Sequence, residues 1–526
     1  MAKLGFTERS LRCFAAIASA LFVFVLLSSA PARSSAVITS KGLAQRPGTA
    51  VHVGSVNPMQ RHQFTVILKA ASHRDAQTVA TYLGRFGLLT KISDSGKTIH
   101  VTGTFGRSAA AAGVSFERVK VGSETFTRTN GATRFPPAIA RLIAATSISP
   151  GVKMREQYVK PRPNAFVAGP QTGYGPADFA GIYHINPLYG SGIDGKGSTV
   201  AIAACGNIDP VDIAYFESFY GLPKNVVHVI HIDGTLDQFG NVPPSGLEPT
   251  LDVERVIATA PGSTVNLYVV PDCFVSQFVD MFAAIAEDPK AIALSVSYGL
   301  PEADYGVFGI GDLLLAQSAA LQDVADDHIA SFAASGDSGS WGDFFATGLV
   351  NFLDVLYPAS DPNIISVGGT TTELTVIRTR LFEYAWGGSG GGVSGIFPIP
   401  PWQAATPGVA SGLFKNLPDV SADADPNTGA AVAWLVSLPP PIFPVGGTSV
   451  SSPTWAGFWA LVDQNRRTHG HGRVGNAAAA LYSLRGSAAY YDITVGANGY
   501  FPTRAGYDNV TGLGVPDATK LVKALQ

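Results

Sequence analysis

The chain has 526 residues, 46% of them hydrophobic and 14% charged, with a formal net charge of −3. That length and balance fit several packed domains and exclude a disordered protein. The near-neutral charge leaves no electrostatic footprint for nucleic acid, and sparse charge suits a protein that works in acid.

Lys3, Arg9 and Arg12 precede an apolar stretch from Cys13 to Leu27, and Ala30-Pro31-Ala32 follows as a small-residue exit. This is the pattern of a secretory signal peptide over residues 1–32. The other reading, a retained anchor, has a core short for a spanning helix. A secreted protein, extracellular or periplasmic, with no stable membrane association after signal cleavage is expected. Residues 33–53 read as a disordered lead. From 54 to 155, Phe64, Val66 and Leu68 alternate as in a strand, Ala76–Leu83 reads as a helix and Thr98–Thr102 as a strand. Arg107–Gly113 then reads as a second helix and Phe116–Val119 as a third strand. Together they predict a small α+β, ferredoxin-like module.

Residues 156–176 carry Pro161, Pro163, Pro170 and Pro176 with Gly169, Gly173 and Gly175. Such a stretch reads as an exposed linker open to proteolytic nicking, with a cut expected between about Lys153 and Ala177. From 177 to 526, short buried runs alternate with helical segments. The strands are Thr199–Ala204, Thr264–Val270, Ala291–Ser297, Ile329–Ala334 and Ile364–Val367; the helices include Glu248–Thr259 and Phe278–Ala286. This predicts an α/β domain around a parallel sheet. Cys13 leaves with the signal, and Cys205 and Cys273 fall at strand ends. Export permits a disulfide between them, but spacing does not distinguish it from two buried thiols.

Three segments carry chemistry. In Gly246–Glu254, Pro249 suits the first turn of a helix, and Glu248 and Asp252 share one helical face at i, i+4. They are either a solvated acidic face or, if buried together, a pair that shares a proton and can act as a general base. In Ser335-Gly336-Asp337-Ser338-Gly339, Asp337 follows an apolar strand, where α/β proteins place their sites, or is simply a turn residue. Gly447-Thr448-Ser449-Val450-Ser451-Ser452-Pro453 opens an apolar helix, so Ser449 is either an ordinary cap or a nucleophile in the favourable field of a helix N-terminus. Its G-T-S-x-x-x-P pattern resembles the nucleophile segment of subtilisin-like peptidases. None of the ten histidines lies in the His-Gly-Thr context of their base.

The three segments together resemble the sedolisin family of serine-carboxyl peptidases. So do the stretch from Ala177-Asp178 through Thr199–Ile202, Tyr357–Pro362, Val367–Thr370, Gly388–Gly392 and Asp419–Ser421. The resemblance runs from about residue 55 to the C-terminus. It implies a subtilisin-like fold, a triad of Glu248, Asp252 and Ser449, and Asp337 as the oxyanion acid. It also implies that the N-terminal module is a pro-domain, an intramolecular inhibitor, and that the enzyme acts on polypeptides; a monomer is expected. Because Glu248 must accept a proton while Asp337 holds one, an acid optimum is expected. One structural Ca²⁺ is implied, held by the carboxylates of Asp492 and Asp508 and the carbonyls of Ile493, Arg504 and Gly506. Arg504 stands where related sequences often carry glycine. Since only its carbonyl would bind, the change matters little. A tripeptidyl-peptidase of the same fold is the alternative activity. A non-catalytic secreted binding protein would be expected to lose one of the four acid or nucleophile positions, and none is lost.

Overall fold

Alternation of apolar and polar residues from Arg61 to Leu68 buries Phe64, Val66 and Leu68 on one side of a strand. The computed structural model describes residues 50–122, 124–159, 172–232, 246–341, 352–435 and 441–526. The expected signal peptide, most of the lead and residues 160–171 of the expected linker lie outside them.

The N-terminal part begins with β1 (Val51–Ser55), which starts inside the stretch read as lead and runs past its end; it pairs antiparallel with β5 (Ser115–Val121), which supplies the edge it needs. β2 (Arg61–Leu68), β3 (Leu89–Ile92), β4 (Thr98–Thr104) and β7 (Ile143–Thr146) form an antiparallel sheet in the order β3-β4-β2-β7. This is the ferredoxin-like order, with two helices in the connections. The helix α1 (His73–Gly84) is capped by Ser72, whose Oγ accepts from the Asp75 N–H, and buries Ala76, Val79, Ala80 and Leu83. The second, α2 (Phe105–Ala112), ends at Gly113 in the left-handed conformation. Phe116–Val119 is not the closing strand of this sheet. It belongs to a separate sheet of β1, β5 and β6 (Glu124–Asn130), and the fourth place goes to β7.

Hydroxyls of Ser95 and Thr98 donate to Glu287 Oε1 at 2.8 and 3.2 Å. Lys97 pairs with Asp323 at 3.1 Å, and Arg128 donates to the Phe308 carbonyl at 2.7 Å. These contacts seat the module on the α/β part. The chain then runs through the two-residue strand β8 (Arg155–Glu156).

The α/β part is built on an eight-stranded sheet. Its strands are β9 (Thr199–Cys205), β10 (Val226–His231), β11 (Thr264–Val270), β12 (Ala291–Val296), β14 (Ala330–Ala334), β15 (Ile365–Leu374), β16 (Arg380–Ala385) and β17 (Val420–Asp423). β13 (Tyr298–Pro301) lies outside it and pairs with β8. The order is β10-β11-β9-β12-β14-β15-β16, with β17 also on β15; all neighbours are parallel except β15 and β16. Val200–Ala204 are fully buried, as expected of a strand covered on both faces. Helices α3 (Leu247–Thr259), α4 (Val275–Ala286) and α5 (Thr448–Thr468) cover the sheet; α3 is buried throughout, and α5 is buried from Thr448 to Asn465. Cys205 and Cys273 are joined in a disulfide, with Cα atoms 5.2 Å apart, which decides the pairing that spacing left open. Among the described residues, no helix is long and apolar enough to cross a membrane.

Candidate active site

Helix α3 starts after Gly246, and Glu248 lies in its first turn. One turn on, Asp252 projects from the same face. Both carboxylates are fully buried, so the solvated-face reading of this pair does not hold. Ser449 is the second residue of α5 and is also fully buried. The chain enters α5 through Gly447 at φ +103°, a conformation open to glycine. A Cβ there would stand 2.6 Å from both Asp337 Oδ2 and the Gln157 carbonyl oxygen. Asp337 follows the end of β14, beyond Gly336 at φ +114°. Its Oδ1 accepts from the Thr448 N–H at 2.7 Å and the Thr448 hydroxyl at 3.0 Å, while that hydroxyl accepts from the Gly336 N–H at 3.0 Å. Thr448 therefore braces Asp337 against the start of α5.

Burial, then the neighbouring Asp252 and Glu156, hold Glu248 well above the usual carboxylate range; the Ser449 hydroxyl acts the other way. No aligned hydrogen bond closes between them, since Ser449 Oγ and both Glu248 oxygens are buried without a partner. A poorly aligned contact of this kind is common in sites that tighten around a reacting substrate. Asp252 is likewise raised by burial; Ser297 opposes this by donating to Oδ1 at 2.6 Å. For Asp337, burial pushes the carboxyl up to about 7 against the two donors from Thr448. Its Oδ2 is buried without a hydrogen-bond partner. The site thus brings together three carboxyls that favour their protonated forms and one serine hydroxyl.

The cleft is occupied by the chain's own backbone. β8 pairs antiparallel with β13, Glu156 opposite Tyr298 and Arg155 opposite Gly299. The Gln157 N–H donates to the Ser297 carbonyl at 3.0 Å, and the Ser449 N–H donates to the Gln157 carbonyl at 2.9 Å. Val159 and Gly446 exchange two bonds, at 2.9 and 2.8 Å. Sequence reasoning read this stretch as linker, and it missed Ser297 and Thr448, whose roles depend on partners distant in the chain.

Near the C-terminus, Asp492 Oδ2 accepts from the Gly506 N–H at 2.9 Å and Asp508 Oδ2 from the Arg504 N–H at 3.1 Å. The two carboxylates therefore meet on one loop, beside the buried Ile493. Burial pushes Asp508 up to about 6, and no basic side chain pairs with it among the described residues. Asp508 Oδ1 also accepts from the Val510 and Thr511 N–H groups and the Thr511 hydroxyl. Two carboxylates converging on one loop without a basic side chain are hard oxygen donors of the kind that suits a calcium ion. No cluster of three or more His, Cys, Asp or Glu side chains forms a metal site among the described residues, so backbone carbonyls would have to complete this one.

No protein-family model matches the chain. Kumamolisin from Bacillus sp. (strain MN-32) is 31% identical over 426 residues, covering 75% of this chain and 72% of that protein. Sedolisin from Pseudomonas sp. (strain 101) is 25% identical over 537 residues, covering 94% and 88%. Tripeptidyl-peptidase 1 from Homo sapiens is 28% identical over 341 residues, covering 60% and 57%. The solved structure of Pseudomonas sedolisin, a serine-carboxyl proteinase complexed with two molecules of pseudo-iodotyrostatin, matches with a TM-score of 0.57 at 26% identity, covering 68% of this chain and 98% of that one. On the strength of the match to kumamolisin and the shared architecture, this chain belongs to the sedolisin family of serine-carboxyl peptidases and is a serine-type endopeptidase.

Proposed function

We propose that the protein is made as a secreted zymogen, that it hydrolyses polypeptides in acid, and that Ser449 forms the acyl-enzyme with Glu248 as general base. The observation that carries this reading is the burial of Glu248 and Asp252 beside the Ser449 hydroxyl. Glu248 takes the proton from Ser449 Oγ as that oxygen attacks the scissile carbonyl. Asp252 shares the proton and holds Glu248 in place, steadied in turn by Ser297. The oxyanion is held by the Ser449 N–H and by Asp337, whose proton sits on the free Oδ2. Glu248 returns the proton to the leaving amine, and water then hydrolyses the ester. Asp337 carries its proton below about pH 7 and loses it above, so the oxyanion donor is present in acid and lost towards alkaline pH.

In this reading, residues 54–155 are the pro-domain, 156–176 the linker in which activation cleavage falls, and 177–526 the catalytic domain. Asp492 and Asp508, with the carbonyls of Ile493, Arg504 and Gly506, would hold one calcium ion, which supplies charge compensation between two surface loops. The experiment is incubation of wild type and Ser449→Ala at pH 4. Self-shortening and digestion of denatured protein are expected of the wild type alone. A maximum near pH 8, or undiminished activity in Ser449→Ala, would overturn the proposal.

A further inference from the structure

We infer that the bond between Gln157 and Tyr158 is the first one the enzyme cuts, and that it cuts it within its own chain. The inference rests on the peptidase reading above and adds the identity of the bond. An extended peptide is read by an enzyme cleft through backbone pairing on both sides of the reacting carbonyl. Residues 155–159 are held in this way. On the amino side, Arg155 and Glu156 pair with Gly299 and Tyr298, and the Gln157 N–H donates to the Ser297 carbonyl. On the carboxyl side, Val159 and Gly446 exchange two hydrogen bonds. The register fixes which carbonyl lies at the nucleophile.

That carbonyl belongs to Gln157. The Ser449 N–H donates to its oxygen at 2.9 Å, and the same oxygen and the unpartnered Asp337 Oδ2 both flank the space beside Gly447, each 2.6 Å from where a Cβ would stand. One donor of an oxyanion hole, the Ser449 N–H, thus already holds this peptide oxygen, and the Asp337 carboxyl lies on the same side of Gly447 to supply the second. Next to it lies a cavity of about 260 Å³ walled by Gly299, Pro301, Ser335, Gly336 and Leu356. The Gln157 side chain turns back on itself, with Nε2 donating to the Arg155 carbonyl at 3.1 Å.

The reaction at this position is ordinary peptide hydrolysis. Ser449 Oγ bonds to the Gln157 carbonyl carbon, the bond to the Tyr158 nitrogen breaks, and the proton from Ser449 passes through Glu248 to the Tyr158 amine. Water then releases a Gln157 carboxyl and regenerates Ser449. The mature chain would start at Tyr158, upstream of the proline-rich stretch.

The test is a time course of purified full-length protein shifted from pH 7 to pH 4, with the amino terminus of each fragment sequenced and denatured casein added in a parallel tube. Tyr158 is expected as the earliest new terminus, with a rate constant unchanged over a tenfold dilution. Tyr158→Pro, which makes this bond an X–Pro bond, is expected to abolish that fragment. If the wild type digests casein while its earliest terminus lies elsewhere, the assignment of this bond is overturned, and if the rate rises in proportion to concentration, cutting within its own chain is overturned; in both cases the peptidase reading stands. The assignment of the bond also falls if Tyr158→Pro is shortened to the same fragment at the wild-type rate. If neither casein nor the chain itself is cut, both fall.

Discussion

Ser297 Oγ donates to Asp252 Oδ1 across 2.6 Å, so a residue at the end of a sheet strand holds the second acid of the helical pair. The bond favours the ionised form of Asp252, against the burial that favours the protonated one. Ser297→Ala removes that support. The acid limb of kcat/KM is expected to move to higher pH, and the plateau to fall by about 10- to 100-fold, the scale of a hydrogen bond to a charged group. Ser297→Thr, which keeps the hydroxyl, should restore both. Unchanged pH profiles in Ser297→Ala would show the bond to be structural only.

Asp337 governs the other limb. Its carboxyl titrates at about 7, and only the protonated form can donate from Oδ2. Activity is therefore expected to fall as pH rises through about 7. Asp337→Asn presents an amide donor at every pH and should carry activity above 7. Asp337→Ala should lose about 10²- to 10³-fold in kcat, the usual cost of one oxyanion donor. A pH–rate profile of the two variants decides it.

Glu156 stands on β8, the strand lying in the cleft, and its charge raises both Glu248 and Asp252. Glu156→Gln removes that charge from the zymogen alone. The acid limb of self-processing is expected to extend to lower pH, because Glu248 then ionises more readily. Hydrolysis of an added peptide by the mature enzyme should keep its wild-type profile. A shift in both would place the effect elsewhere.

The N-terminal module carries a group whose titration would weaken the module in acid. His62 is buried, stacks on Phe105 at 4.2 Å and meets Ser108 Oγ through Nδ1 at 2.9 Å. Burial pushes it down to about 3 from an ordinary 6.5. Between those values the unfolded module binds the extra proton, so its stability is full above pH 6.5 and falls by up to roughly 4 kcal/mol as pH drops towards 3. Asp323, whose carboxyl burial raises to about 6, works the other way: the folded form gains relative stability as pH falls through that value. The Lys97–Asp323 pair is thus no acid trigger. In a Ser449→Ala background, His62→Gln should lose less melting temperature between pH 7 and pH 4 than the parent does.

Calcium should act on stability before activity. A ligand present at about 100 times its dissociation constant adds about 2.7 kcal/mol. Treatment with a chelator is expected to lower the melting temperature by several degrees, and Asp508→Ala to lower it without any further response to chelator. A chelator effect that persists in Asp508→Ala would point to another site.

Much of the site was legible because it rests on local rules. Glu248 and Asp252 declare a shared face by their spacing, Asp337 by following a buried strand, and Ser449 by opening a helix. What sequence hid depends on partners far along the chain. Ser297 reads as the last residue of an apolar run, and its function appears only when α3 packs beside it. Gln157 lies in a stretch that proline and glycine mark as linker, and its strand pairing exists because β13 offers an edge. β7 (Ile143–Thr146) is only four residues long with two alanines at its centre, too short a signal to read as a strand, so Phe116–Val119 took its place in the expected sheet.

The disulfide closes on the same neighbourhood. Cys273 accepts from the Met154 N–H through its carbonyl at 2.8 Å, and Lys153 bridges to Phe274, so the turn that carries the cysteine also supports the chain just before it enters the cleft. Its partner, Cys205, ends β9, 68 residues earlier. Closing a loop of that span contributes about 4 kcal/mol by the chain-entropy account. A chain folded where thiols stay reduced would lose this staple and, with it, a firm seat for residues 153–157, which couples the redox state of the folding compartment to how tightly that segment is held in the cleft.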